Sequence, residues 1–209
     1  MVVSVHPDDE TIGAGGTLLR HRDQGDRIGC IFVTDGNTSQ AETIAQLEDA
    51  YGFDAVFRLG LPEITLQDLS LSVIIPKLGG AFRSFEPNIV YLPNRSDPHS
   101  DHRRVFEAAQ ACTKAFRYPS VERVMMMEVI SETDFAPALP EAAFMPNVFV
   151  DVSDYQDRKM EILDLFRSEL MPSPMTRSAD TMRAYNRYRG SQINAEYAEC
   201  FMLLKDIVR

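Results

Sequence analysis

Two short polar segments hold three of the four histidines in this chain. Residues 6–10 read HPDDE, and residues 97–102 read DPHSDH. Imidazole and carboxylate side chains together suit a borderline divalent ion, and catalytic zinc usually takes three protein ligands and leaves one position open. His6, Asp9 and His102 could fill these three places.

Asp8 gives the first segment a second carboxylate beside the predicted ligand Asp9. Next to a metal ion, such a carboxylate is suited to accept the proton of an attacking water, which is general-base chemistry. Asp-rich loops after strands are also typical helix caps and turns, and one segment alone would fit that simpler interpretation. The two segments together favour an active site.

The elements around these segments alternate along the chain. Apolar runs predict strands at residues 1–5, 27–34, 55–59, 88–92, 121–130 and 148–152. Helical patterns are predicted at residues 11–23, 39–51, 66–85, 100–117 and 155–169, and two further helices are expected after a loop at 171–175.

This alternation predicts a single α/β domain whose mostly parallel sheet carries helices on both faces. Ligands of such sheets bind beyond the carboxyl ends of the strands, where the strand order reverses. A sheet in the order 3-2-1-4-5 would place the loops after strands one and four side by side. The separation of His6 and His102 by 96 positions in the sequence is therefore no obstacle to one site.

Composition narrows the classes of partner. The 209 residues are 44% hydrophobic and 25% charged, with a formal net charge of -10, which disfavours nucleic acid and anionic membranes. Three widely spaced cysteines include no CxxC pair, and no apolar run is long enough to insert into a membrane. We therefore expect a cytoplasmic protein with a small-molecule substrate.

The sequence resembles the PIG-L/LmbE family of zinc-dependent N-acetylglucosaminyl deacetylases. The resemblance rests on HPDDETIGAGG at 6–16, VTDGN at 33–37, RLGLPE at 58–63 and YLPNRSDPHSDHR at 91–103. It continues in FMPNVFVDVSDYQDRKMEIL at 144–163, RYRG at 187–190 and EYAECF at 196–201. It implies one Rossmann-like domain over residues 1–209, with a core at 1–130 and with residues 131–209 completing the pocket.

The resemblance also implies a mechanism. His6, Asp9 and His102 would hold one Zn²⁺ or another divalent metal per chain, and Asp8 would activate the zinc-bound water and later act as acid. His99 would stabilise the oxyanion, while the Asp101 carboxylate would orient His99 and favour its protonated form. The expected reaction frees acetate and an amine from an N-acetylated sugar or glycoconjugate, in a chain that is compatible with a homo-oligomer.

Substrate contacts are predicted at five further positions. They are Asn37, Arg58, Asp97, Glu128 and Arg177. The chain departs from the family pattern nearby, with Gln40 and Thr43 where an Arg and a Glu are frequent, with Thr176 in place of a Pro, and with Asn194 in place of a Gly. The departures at Gln40, Thr43 and Thr176 concern contacts with the sugar, and they leave the predicted metal ligands intact.

Three other interpretations have weaker support. Gly13, Gly15 and Gly16 follow the first strand but lack the GxGxxG spacing of a dinucleotide site, and they would instead let the helix start approach the metal loop. A non-catalytic carbohydrate-binding module would not need Asp8 or His99. The same hydrolytic chemistry on another N-acyl amide remains open, and only a substrate panel separates it from sugar deacetylation.

Overall fold

The computed structural model of the chain describes residues 1–34 and 41–209. In these ranges one sheet contains strands β1 Val2–Ser4, β2 Gly29–Thr34, β3 Ala55–Leu61, β4 Ile89–Leu92, β5 Arg123–Met127, β6 Val148–Asp151 and β7 Ala198–Asp206. The α-helices are α1 Asp9–Asp23, α2 Ala41–Tyr51, α3 Leu71–Phe85, α4 Ser100–Ala111, α5 Gln156–Leu163 and α6 Ala179–Ser191.

The sheet has the strand order β3-β2-β1-β4-β5-β7-β6. Strands β1 to β5 run parallel, and β7 pairs antiparallel with both β5 and β6. The predicted order 3-2-1-4-5 is confirmed. The strand order reverses between β1 and β4, which are paired through Val2 and Tyr91, and this places the loops after these two strands at one edge of the sheet.

Successive strand residues divide between two apolar cores, as the two-residue period of a strand requires. Val3 and Met126 pack with apolar residues of α3 and α4 on one face. Val2, Met125 and Met127 pack with α1, α2 and α5 on the other face. The run of three methionines is therefore core packing, and the predicted helices on both faces are confirmed.

Helix α1 is buried throughout its first ten residues, Asp9 to Leu18. A Cβ on Gly15 would lie 2.7 Å from the Tyr51 hydroxyl, and a Cβ on Gly16 would lie 2.7 Å from Val152. These two glycines thus let α1 pack closely against α2 and the segment after β6. The expectation that they serve an approach to the metal loop was wrong, because their close neighbours lie elsewhere.

The C-terminal part corrects one prediction about secondary structure. After the loop at 171–175 the structure has one helix, α6, and then the nine-residue strand β7 where a second helix was expected. An apolar run without helical period fits a strand that is paired on both sides, as β7 is between β5 and β6. Among the helices of the described ranges, none has the length and apolar composition needed to span a membrane.

Candidate active site

The loops after β1 and β4 bring three predicted ligands together. The Asp9 Oδ2 atom lies 3.8 Å from His6 Nδ1 and 3.4 Å from His102 Nε2. The candidate ligand atoms of these three residues all lie within 4.8 Å of one another. His102 is 1% exposed and Asp9 is fully buried, whereas the His6 side chain remains 21% exposed. The trio forms a mostly buried site with one face toward solvent.

Two buried polar atoms of this trio make no hydrogen bond in the described structure. Asp9 Oδ1 and His102 Nε2 are buried and make no hydrogen bond. A buried polar atom without a partner costs about 1–3 kcal/mol, so native proteins rarely leave two together without a use. A divalent cation would satisfy both atoms, and the imidazole–carboxylate donor set suits zinc. The residues present therefore fit the metal that the sequence predicts.

The electrostatics of the trio favour a positive charge. Burial alone would lower the pKa of His102, but the carboxylates of Asp9 and Asp97 raise it to about 10. Burial alone would raise the pKa of the Asp9 carboxyl, but His102 and His6 lower it. Two carboxylates that converge on one buried imidazole create a negative potential at this point, which attracts a cation.

Asp97 orients the His102 ring through the nitrogen that faces away from Asp9. Its Oδ2 atom accepts a hydrogen bond from His102 Nδ1 at 2.9 Å, and its Oδ1 atom accepts from Asn94 Nδ2 and Thr133 Oγ1. This carboxylate directs Nε2 of His102 toward Asp9, as partners of metal-binding histidines commonly do. Asp97 is fully buried, so the prediction that it contacts substrate is corrected to a positioning role.

His99 lies at the N-cap of α4 beside the trio, with its ring 4.7 Å from that of His6. Its Nδ1 atom accepts a hydrogen bond from the Asp101 backbone N–H at 3.2 Å, which leaves Nε2 as the protonated nitrogen of a neutral ring. Burial lowers the pKa of His99, and His6 and His102 lower it further. The Asp101 carboxylate acts in the predicted direction and raises the pKa of His99, but burial and the two histidines outweigh it, so the shift favours the neutral ring over the expected protonated one.

The Asp101 carboxylate has other partners than the one predicted. It accepts hydrogen bonds from the backbone N–H groups of Ile64 at 2.7 Å and Leu66 at 3.1 Å, and it lies 3.4 Å from His6 Nε2. It thus orients His6 and the loop before Leu66, while only its backbone N–H orients His99. A second trio of His6, His99 and Asp101 has metal-like spacing, but both oxygens of this carboxylate already accept hydrogen bonds.

Asp8 lies next to the trio at the end of the β1 loop. Its backbone adopts φ 134°, a conformation that non-glycine residues rarely hold outside functional sites. Its Oδ2 atom accepts a hydrogen bond from Arg177 Nη1 at 2.9 Å, whereas the buried Oδ1 atom has no partner. Burial raises the pKa of Asp8 and Arg177 opposes this, while Asp9 and Glu10 add to the rise. A raised pKa suits a group that accepts and returns a proton.

Two positioning side chains near Asp8 were not predicted as site residues. Glu10 is fully buried and accepts hydrogen bonds from Ser4 Oγ at 2.7 Å and from the Asp8 backbone N–H at 3.2 Å, so it braces the loop. Ser131 accepts from Arg177 Nε at 2.8 Å and so fixes the guanidinium. Glu10 belongs to the HPDDE segment, which was the signal available, while nothing in the sequence marks Ser131.

The site opens into a cleft of about 310 Å³. Its lining comprises His6, Pro7, Asp8, Glu63, Ile64, His99, Glu132, Glu169 and Arg177. Glu132, Glu169 and Arg177 come from the segment after residue 130. Glu63 ends the RLGLPE motif, so the sequence held a signal for it. Glu132 and Glu169 were missed because they lie in separate loops that carry no motif.

Of the predicted substrate contacts Arg58, Glu128 and Arg177, only Arg177 lies in the lining of this cleft. Arg177 lines the cleft, but the Arg58 side chain pairs with Glu48 on the exposed edge of the sheet at 2.6 Å. Glu128 accepts hydrogen bonds from Tyr185 and Arg189 and lines a separate cavity. The predictions for Arg58 and Glu128 are corrected, because ion pairs and packing elsewhere occupy both side chains.

The remaining departures from the family pattern have partial explanations. Gln40 lies outside the described residues, as does the predicted substrate contact Asn37, and Thr43 is half-buried on α2. Asn194, which stands where a glycine is frequent, adopts φ 60°. Asparagine is among the few non-glycine residues that tolerate this left-handed conformation. The exchange therefore preserves the turn before β7.

The fold and site define an α/β protein with a candidate metal centre at the switch point of its sheet. The chain matches the family model of PIG-L, described as GlcNAc-PI de-N-acetylase, over residues 1–113, which is more than half of its length. The chain belongs to this family.

Similar proteins include two curated deacetylases. The 1D-myo-inositol 2-acetamido-2-deoxy-alpha-D-glucopyranoside deacetylase of Tsukamurella paurometabola is 29% identical over 116 residues, 52% of this chain and 37% of that protein. The diacetylchitobiose deacetylase of Thermococcus kodakarensis is 24% identical over 217 residues, 95% of this chain and 80% of that protein. A conserved protein of Thermus thermophilus has a crystal structure with a TM-score of 0.80 and 26% identity, covering 100% of this chain and 95% of its own.

Proposed function

We propose that the chain is an N-deacetylase that hydrolyses the acetamide of an N-acetylglucosamine-type sugar or glycoconjugate to acetate and a free amine. The observation that carries this proposal is the pair of unpartnered buried atoms, Asp9 Oδ1 and His102 Nε2, beside the unpartnered Oδ1 atom of Asp8. Open metal ligands and an open base at one cleft are the parts that amide hydrolysis requires. The deacetylase names of the relatives supply the substrate class.

His6, Asp9 and His102 would hold one zinc ion per chain, with other divalent metals as substitutes. When bound, the ion would polarise the acetamide carbonyl and lower the pKa of water from 15.7 toward about 7. The residues around it have their own tasks. Asp97 fixes the His102 ring, and Asp101 fixes His6 together with the loop at Ile64.

Asp8 acts as the base and then as the acid. Its open Oδ1 atom takes a proton from the water that attacks the carbonyl carbon, and it returns that proton to the sugar nitrogen when the C–N bond breaks. Arg177 keeps the other oxygen of this carboxylate fixed during both steps. General acid–base catalysis of this kind contributes about 10²- to 10⁴-fold to the rate.

His99 stabilises the carbonyl oxygen as it becomes negative. A neutral ring whose Nδ1 accepts from the Asp101 N–H presents its Nε2–H as a donor. A fixed donor at a developing oxyanion is worth about 10²- to 10³-fold in kcat. The segment after residue 130 completes the pocket through Arg177 and the other residues that it contributes to the cleft.

The proposal is tested by amine release from a panel of N-acetylglucosamine conjugates, with added zinc and with a chelator. We expect release that the chelator abolishes and that returned zinc restores. No release by protein that contains zinc would point to another N-acyl amide, which acylated amino acids in the panel detect. No release and no bound metal would favour a non-catalytic carbohydrate-binding module.

A substitution at Asp8 tests its role separately from metal binding. We expect Asp8→Asn to retain zinc, measured by metal analysis of the purified protein, and to lose about 10²- to 10⁴-fold in turnover, because the amide cannot accept the proton. Asp26→Asn, at an exposed carboxylate that pairs with His21, serves as the control. Unchanged turnover of Asp8→Asn would remove Asp8 from the mechanism.

A further inference from the structure

The walls of the cleft carry an unequal set of charges. Four carboxylate residues line it, namely Asp8, Glu63, Glu132 and Glu169. Within the described part of the chain, Arg177 is the one arginine or lysine in the lining. Its Nη1 and Nε atoms donate to Asp8 and Ser131, and its charge also interacts with Glu132 and Glu169, so one cation faces four carboxylates. The cleft therefore presents more negative than positive charge to whatever enters it.

These carboxylates are more than a cluster of acidic residues on the surface, because a second observation indicates that a ligand binds in the same cleft. Asp8 is 3% exposed, lines the cleft and has an unpartnered Oδ1 atom, which independently points to a ligand there. Ile64 is 69% exposed at the same cleft, and its backbone N–H is held by Asp101. An exposed apolar side chain whose backbone is fixed at the wall of this cleft is suited to contact the uncharged part of a substrate.

We propose that Glu63, Glu132 and Glu169 make this cleft select N-acetylated sugars whose attached group is uncharged or carries an ammonium, and reject those that carry phosphate or carboxylate. The inference rests on the proposed deacetylation and specifies its substrate. A like charge placed against a wall of fixed carboxylates is repelled, and such repulsion is a common source of specificity. A second amino sugar with a free amine is attracted by the same walls.

Glu132 contributes most to this selection. It is half-buried, whereas Glu63 is exposed. A charge that is partly removed from water acts through a lower effective dielectric and is screened less by salt. We therefore expect neutralising Glu132 to relax the selection more than neutralising Glu63.

The test compares three glycosides of N-acetylglucosamine in zinc-loaded protein. Their attached groups are methyl, glucosamine and malate, which are neutral, cationic and anionic. At low salt we expect kcat/KM for the malate glycoside to be about tenfold or more below that of the methyl glycoside. The difference should lie mainly in KM, since a wall charge acts on bound substrate and transition state alike. It should shrink as the ionic strength rises.

Three variants locate the effect. Glu132→Gln should narrow the ratio between the methyl and malate glycosides by roughly threefold or more, and Glu63→Gln should narrow it less. Glu86→Gln makes the same change in net charge before β4, at the opposite edge of the sheet from the cleft. This control should leave the ratio unchanged.

The outcomes separate this inference from the proposed function. Equal or faster hydrolysis of the malate glycoside, or equal effects of Glu132→Gln and Glu86→Gln, would overturn the charge selection and leave deacetylation intact. If no glycoside is hydrolysed, deacetylation is wrong. The dissociation constants of the same three glycosides, measured by calorimetry, then decide the selection, and equal or tighter binding of the malate glycoside overturns it.

Discussion

Two groups of buried charge along α1 differ in how their atoms are satisfied. Beside the middle of the helix, Lys159 Nζ donates to Ile12 O and to Glu199 Oε1, both at 2.8 Å. The Glu199 oxygens also accept from the backbone N–H groups of Gly16 at 2.8 Å and Thr17 at 2.7 Å. This ion pair is 2% exposed on each side, and both of its members have their hydrogen bonds.

The group at the start of the same helix is equally buried but incompletely satisfied. Asp8 Oδ1, Asp9 Oδ1 and His102 Nε2 have no hydrogen-bond partner in the described structure. Buried charges that only hold the fold together gain from full pairing, because an unpaired polar atom costs stability. This difference supports the proposal that the second group binds a ligand, whereas the hydrogen bonds of the first group stabilise the fold.

We call the incompletely satisfied group of Asp8, Asp9 and His102 the open group, and the satisfied pair of Lys159 and Glu199 the closed group. The largest expected effect comes from a substitution at His102 in the open group. We expect His102→Ala to lose zinc and nearly all activity, because one of three ligands is removed from a buried site. His99→Ala should keep its zinc and lose about 10²- to 10³-fold in kcat, since it removes only an oxyanion donor. Metal analysis and steady-state kinetics on both variants make the measurement. Equal loss of zinc in both would show that the pair is wrongly assigned.

A substitution in the closed group of Lys159 and Glu199 should lower the stability of the fold and leave zinc binding unchanged. We expect Lys159→Met to lower the free energy of unfolding by about 3–5 kcal/mol, because Glu199 becomes a buried charge without its cation. Urea denaturation with an unchanged m-value measures this loss. The zinc dissociation constant of the folded variant should stay within about twofold of the wild type.

Arg158→Met is the matched control for this substitution. Arg158 is the residue before Lys159 in α5, and it pairs with Glu161 in solvent at 2.9 Å. Exposed pairs contribute about 0–1 kcal/mol, so this variant should unfold almost as the wild type does. Equal losses at both positions, or a zinc affinity that falls with Lys159→Met, would remove the distinction between the two groups.

Sequence patterns predicted the parts of this molecule that depend on local periodicity and topology. Alternating strands and helices were enough to place the loops after β1 and β4 together, since parallel strands share their carboxyl edge. The predicted ligands His6, Asp9 and His102 could be grouped for the same reason. Strand β7 was taken for a helix, because its conformation is decided by pairing with β5 and β6 and not by its own pattern.

Side-chain partners were harder to predict than positions. Asp97 and Glu128 are both polar residues next to the strand ends, yet one supports His102 and the other bonds to Tyr185 and Arg189. Which partner a carboxylate takes depends on distances across the fold that residue type does not reveal. Asp101 illustrates the same limit, since two backbone N–H groups from a distant loop occupy its oxygens.

The smallest effect concerns the residue that connects the open group to the fold. We expect Asp97→Asn to weaken zinc binding about 10- to 100-fold, because the amide no longer provides the charged acceptor that orients His102. The Asp26–His21 pair, at 2.7 Å and exposed, offers the matched control, and Asp26→Asn should leave the zinc dissociation constant within about twofold. Competition with a chromogenic chelator measures both constants. Unaltered affinity in Asp97→Asn would mean that burial alone orients the His102 ring, and the open group would then depend on packing and not on its hydrogen bond to Asp97.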